Sequence, residues 1–148
     1  MTVHQLSVFI ENRQGTVQKV LDLLKEGNIQ LIATTIADTT EYGIYRIICS
    51  EPTLERVVND YRTTLKNAGI SVNLSDVFAI KLENEVGRAA DTIKLFSDAG
   101  IEISYLYSFM LGNNGIMVFR TNNTERAREV IMLNKLDFIA EKDLSKLF

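Results

Sequence analysis

At 148 residues, with a formal charge of -3 and a pI near 5.2, the chain is an ordinary globular composition with 46% hydrophobic and 24% charged residues. The acidic balance offers no general attraction to phosphate backbones, so nucleic acid is disfavoured. One cysteine, Cys49, and one histidine, His4, rule out an intrachain disulfide and a Cys/His metal cluster within a monomer, so no metal or cofactor is expected.

The first strand is predicted where Leu6, Val8 and Ile10 alternate with Ser7 and Phe9. Glu11 to Gly15 interrupts it, and from Thr16 the apolar positions Val17, Val20, Leu21 and Leu24 recur at helical spacing until Gly27-Asn28 supplies a stop. Ile29 to Ala37 and Tyr42 to Cys49, separated by Asp38-Thr39-Thr40-Glu41, read as a β-hairpin. Pro52 opens a second helix with Leu54, Val57, Val58, Tyr61 and Leu65 on its buried stripe, and Gly69 ends it. Ile70 to Leu74 then forms a fourth strand that runs with almost no linker into Phe78, Ile80 and Leu82.

From that point the pattern starts again. Sliding the chain on itself by 72 positions places Glu11-Asn12-x-x-Gly15 on Glu83-Asn84-x-x-Gly87, Leu23 on Leu95, Ile29 on Ile101, and Gly43-Ile44 on Gly115-Ile116. In the second copy Ile101 to Leu111 and Ile116 to Thr121 flank a Gly112-Asn113-Asn114-Gly115 turn. A shorter helix is expected over Thr124 to Leu133, with Phe138-Ile139-Ala140 as the candidate last strand. The fold class is therefore α+β: two ferredoxin-like βαββαβ units over 1–73 and 74–148, antiparallel sheets with helices on one face. Units this small gain by packing on another surface. Strands apolar on both sides, such as those carrying Ile44 and Ile116, also ask for a further cover, so a homodimer or larger assembly is expected.

The Asn-x-x-Gly turn leading into an amphipathic helix, followed by Gly27-Asn28-Ile29-Gln30-Leu31 and its counterpart Ala99-Gly100-Ile101-Glu102-Ile103, resembles the ACT domain over nearly the whole chain. The resemblance implies a regulatory module that binds an amino acid between paired domains. It places the start of one copy's second strand against the glycine loop of a neighbour, which nominates Gln30, Leu31 and Ile32 with Glu102, Ile103 and Ser104. Where many relatives carry Pro before the loop glycine, this chain has Gln14 and Val86.

Physical chemistry nominates the loops on separate grounds. A helix N-terminus carries about half a positive charge and N–H groups without intrahelical partners, suited to a ligand carboxylate at Gly15 or Gly87. Asn12 or Asn84 offers a donor and an acceptor together, and Glu11, Glu83 or Glu102 can balance an ammonium. The ligand-binding candidates are thus Asn12, Arg13, Gln14, Gly15 and Thr16, then Asn84, Glu85, Val86, Gly87 and Arg88, with the two strand starts. The alternative is that the glycines only permit a tight turn and the asparagines cap the helices. Arg13 and Thr16 become Glu85 and Arg88 in the second copy, so the two loops are not expected to be equivalent. Tyr105, Tyr107 and Phe109 alternate on one side of a strand, more as core than as ligand contacts.

Three other functions compete. For an enzyme, the sequence holds no phosphate loop, no nucleophile turn and no cysteine pair, so no catalytic residue is expected. An RNA-recognition module shares the topology, but only Tyr42-Gly43-Ile44-Tyr45-Arg46-Ile47 is similar to its aromatic strand, and the second copy lacks those aromatics. An adaptor that keeps the fold without a ligand is the serious alternative. No basic and apolar leader opens the chain and no run approaches about 20 apolar residues, so a cytoplasmic protein without membrane contact is expected.

Overall fold

The computed structural model describes residues 1–11, 15–38, 42–50, 57–144 and 146, excepting the side chains at 57, 58 and 61. The expected helix start at Pro52, its stripe residue Leu54 and most of the Asp38–Glu41 turn lie outside them. Two compact units are present, one built from His4–Ser75 with Lys142–Lys146, the other from Met1–Val3 with Asp76–Glu141.

In the first unit, strand β1 (Val3–Glu11) leads into helix α1 (Thr16–Glu26). Strands β2 (Leu31–Asp38) and β3 (Tyr42–Cys49) follow. A π-helical turn (Val57–Arg62) then continues as helix α2 (Thr63–Asn67). The sheet order is β2-β3-β1, with antiparallel pairs that set Phe9 opposite Ile44 and Glu11 opposite Tyr42. The alternation anticipated in β1 delivers Leu6, Val8 and Ile10 to the core, where Val20 and Leu24 of α1, Leu65 of α2, Tyr45 and Ile47 meet them. Strand β4 (Ser71–Glu83) is continuous through the expected junction. It opens with Val72 in the first unit's core and goes on to supply Phe78 and Ile80 to the second.

The second unit continues through helix α3 (Arg88–Asp98), strands β5 (Ile103–Leu111) and β6 (Asn114–Thr121) and helix α4 (Thr124–Leu133). A short helix α5 (Glu141–Leu144) follows, most of it belonging to the first unit. The order is β4-β6-β5, antiparallel throughout. The β5–β6 loop has positive φ at Gly112 and not at Asn113, the signature of a type II′ hairpin turn. Asn123 caps α4 by accepting the Arg126 N–H at 3.0 Å.

The last strand expected over Phe138–Ala140 is reduced to an isolated bridge between Phe138 and Ile80. Two backbone bonds of 2.8 Å hold it, Lys81 N–H to the Asp137 carbonyl and Ile139 N–H to the Ala79 carbonyl. The bridge lies in the short stretch between α4, which ends at Leu133, and α5, which starts at Glu141. The bridge still falls beside the unit's first strand, which completes the fourth-first-third-second order of a ferredoxin-like fold.

Duplication is visible in backbone detail. Each second strand carries a bulge at the same place, between Leu31 and Ala33 and between Ile103 and Tyr105, so Ile32 and Ser104 are the extra residues. Four helix ends close alike: the N–H of Ile29, Ile70, Ile101 and Leu136 bonds back to the carbonyl of Leu24, Leu65, Phe96 and Ile131. In each case the preceding residue, Asn28, Gly69, Gly100 or Lys135, has positive φ. These closures explain why β2 and β5 begin two residues later than the alternation suggests, since Ile29 and Ile101 are held as helix stops. Side chains differ more than backbone. Leu6, Leu24 and Ile47 in the first core correspond to Phe78, Phe96 and Phe119 in the second, all buried. There Phe119 stacks on Phe78 at 5.6 Å and meets Phe96 edge-on at 5.0 Å.

Candidate functional site

The two loop glycines share one backbone conformation. Gly15 and Gly87 both stand at the helix N-cap in the left-handed region, and among the described residues no side chain caps either helix. Asn84 therefore does not take the capping role anticipated for it, and Asn12, Arg13 and Gln14 lie outside the described residues. Beyond the chain neighbours, no atom among the described residues lies within 4 Å of where a Cβ would stand at Gly15 or Gly87, so glycine answers the positive φ.

Around that common backbone the side chains diverge. In the first loop the Thr16 hydroxyl donates to the Glu11 carbonyl at 2.9 Å. In the second, Arg88 takes the place of Thr16 and donates to Glu83 at 2.9 Å and to Glu85 at 3.2 Å. Charge that would serve an incoming zwitterion is thus engaged within the second loop. Asn84, Glu85 and Val86 are exposed there.

The strand starts sit at the far ends of the helices. Gln30 donates from Nε2 to the neighbouring Leu31 carbonyl at 3.3 Å, and Ile32 is the bulge residue. In the second unit the Glu102 N–H donates to Asn122 Oδ1 at 3.1 Å, while the Asn122 N–H returns a 3.2 Å bond to the Glu102 carbonyl. Ile103 is half-buried and Ser104 exposed. Because α1 has 11 residues, its two ends are about 16 Å apart at about 1.5 Å per residue. Gly15 and Gln30 of one unit cannot touch the same small ligand. Tyr105, Tyr107 and Phe109 are half-buried, alternating with the exposed Ser104, Leu106, Ser108 and Met110.

Two cavities mark the two ends of α1. One of about 430 Å³ is lined by Leu21, Leu24, Lys25, Asn28, Ile29, Gln30 and Leu31, and so includes the nominated strand start. The other, of about 330 Å³, lies beside the glycine loop, with Phe9, Glu11, Thr16, Lys19 and Tyr42 among its walls. Phe9, Lys19 and Tyr42 were not among the residues nominated from sequence. Their signal lay in the comparison of copies, where they become Lys81, Asp91 and Asn114.

The family model for ACT domain pairs matches residues 1–148. The chain belongs to that family. As an ACT domain pair it is similar to a protein of Bacteroides thetaiotaomicron whose crystal structure has a TM-score of 0.88, at 35% identity, over 99% of this chain and 97% of that one. It shares its fold with the regulatory subunit of aspartate kinase from Thermus thermophilus in ligand-free form, with a TM-score of 0.67, 13% identity, and 89% and 90% of the two chains covered. The Thermus flavus regulatory subunit has a TM-score of 0.62 at 14% identity, over 90% and 93%. No functionally curated protein matches the chain in sequence. ACT domain pairs are regulatory, and the repeat read from the residues is the pair that defines the family. Among the described residues no helix is long and apolar enough to cross a membrane.

Proposed function

We propose that this ACT domain pair is a cytoplasmic sensor of a small molecule, an amino acid. The ligand would be held at a glycine loop of one ACT-like domain against the second-strand start of a paired domain, the domains being 1–73 and 74–148. The observation that carries the reading is the helix N-terminus at Gly15, left-handed and with no side chain among the described residues capping it, which presents backbone N–H groups and a positive dipole end to a carboxylate. Since the two ends of α1 are too far apart to share one ligand, a site using both kinds of residue takes them from two domains, in keeping with a homodimer or larger assembly. A partner enzyme would read the bound state.

Thermal unfolding with and without each common amino acid tests this. A ligand that prefers the native state raises stability by about 2.7 kcal/mol at one hundred times its Kd, a rise of about 5 to 10 °C for a chain of this size. A selective rise supports the sensor. No shift with any amino acid overturns it in favour of a ligand-free adaptor.

A further inference from the structure

Strand β5 ends its unit's sheet, with β6 on one side. The turn fixes which of its backbone groups face away. Gly112 and Asn113 form a two-residue loop closed by Leu111 opposite Asn114, and a tight turn of this kind closes on a hydrogen-bonded pair. Pairing alternates from there and runs without a shift back to Tyr105, so Leu111, Phe109, Tyr107 and Tyr105 bond to β6. Met110, Ser108 and Leu106 turn their N–H and carbonyl groups outward. Among the described residues no backbone group outside β6 bonds to these three.

Their side chains are exposed as well, Leu106 by 48% and Met110 by 55%, with Ser108 between them. Long edge strands are normally defended by charge or proline, and the nine residues of β5 contain neither. The bulge at Ser104 interrupts the strand only at its start. The first copy differs at the same three places. At the 72-residue offset Leu106, Ser108 and Met110 correspond to Thr34, Ile36 and Asp38, which put a carboxylate on β2.

The strand itself specifies the occupant. Past the bulge, Tyr105–Leu111 reads alike from both ends about Ser108: Leu106 mirrors Met110, and Tyr107 mirrors Phe109. Two identical antiparallel strands set each residue opposite its mirror position about the twofold axis. We propose that two copies of this chain join through β5, antiparallel about Ser108, so that Leu106 of each copy covers Met110 of the other. The outward groups of Leu106, Ser108 and Met110 then exchange about six backbone hydrogen bonds. On the other face Tyr107 of each copy stands opposite Phe109 of the other, an aromatic cross-strand pair. This rests on the assembly expected above and adds to it a surface, a symmetry and a register.

Light scattering of the full chain on a sizing column, at micromolar concentration and without ligand, tests it. The wild type is expected to be at least a dimer. Leu106→Lys with Met110→Lys sets lysine opposite lysine across the axis and should halve the mass. Leu106→Lys with Met110→Glu sets each lysine opposite a glutamate of the other copy and should restore it. Within one strand residues 106 and 110 are about 13 Å apart, too far to pair, so the rescue reads only the contact between copies. Ile36→Lys on β2 should leave the mass unchanged. All three positions are exposed, so the variants should keep the wild-type circular dichroism spectrum. A monomeric wild type overturns both the interface and the assembly. A mass that survives the two lysines, or that the glutamate fails to restore, overturns the pairing about Ser108 and leaves the assembly standing.

Discussion

Gly15 and Gly87, 72 residues apart, hold one backbone conformation, φ 89° and ψ -7° at the first and φ 88° and ψ -7° at the second. Beyond the chain neighbours, neither has an atom of the described residues near its missing Cβ, so alanine at either place meets the conformational penalty of the left-handed region. Gly15→Ala and Gly87→Ala should each destabilise the protein by about 1 kcal/mol and by similar amounts. Urea denaturation checks this. A loss at one position several times that at the other would show that the loops carry different packing.

Lys135 occupies the place that glycine holds at Gly69: φ is 51° at the lysine and 79° at the glycine, and each precedes a residue whose N–H closes a helix. A side chain in that region is disfavoured by about 1–2 kcal/mol, offset in part by the freedom glycine adds to the unfolded chain. Lys135→Gly should therefore raise stability by up to about 1 kcal/mol, and Gly69→Lys should lower it. Midpoints of thermal unfolding give both signs.

Burial pushes the Cys49 thiol from 9.0 up to about 12. Below pH 9 the folded and unfolded chains both hold the proton. Above it the unfolded chain releases the proton while the folded one keeps it, so stability falls as pH rises from 9 toward 12. The slope approaches about 1.4 kcal/mol per pH unit. Cys49→Ala should lack this slope, and the difference between the two proteins across the window isolates it. The native thiol should also resist alkylation at pH 8 except through unfolding.

Arg88 joins Glu83 and Glu85, all largely exposed. Pairs in water are worth little, so Arg88→Ala should cost under about 1 kcal/mol. If the first loop alone takes ligand, the substitution leaves affinity unchanged, and a calorimetric Kd that shifts tenfold would place ligand at the second loop.

The two cores should answer truncation differently in kind but not in order. Phe96→Ala removes a ring that packs on Phe119, with an expected loss of about 3–5 kcal/mol, while Leu24→Ala at the equivalent place should lose about 2–5 kcal/mol. Denaturant unfolding of each variant measures these losses. A loss under about 1 kcal/mol at either residue would show that its core collapses into the cavity.

Much of the fold was open to reading because its signals are local. The stripe of Val20 and Leu24, the Gly112 turn and the strict 72-residue offset each act within a few residues or by direct comparison of copies. The second copy's helix at Thr124–Leu133 came out as read for the same reason. The short bridge at Phe138 did not, because apolar residues suit a strand, while the extent of pairing depends on partners distant in sequence, here Ala79 to Lys81. The nominated loops were legible through their backbone role: Gly15 and Gly87 were read as turn residues and both hold positive φ, whereas the contact of the Phe9 and Tyr42 rings joins two strands far apart in sequence.

Sequence alone determined the repeat, its element order and the positions that must be glycine, since periodicity and positive φ are properties of neighbouring residues. Only the tertiary structure decided which side chains meet. Phe9 and Tyr42 come from β1 and β3, and the contact of their rings depends on the antiparallel register that sets Glu11 opposite Tyr42. Registers of that kind are chosen by the whole core at once, through the burial of Val8, Ile10, Tyr45 and Ile47.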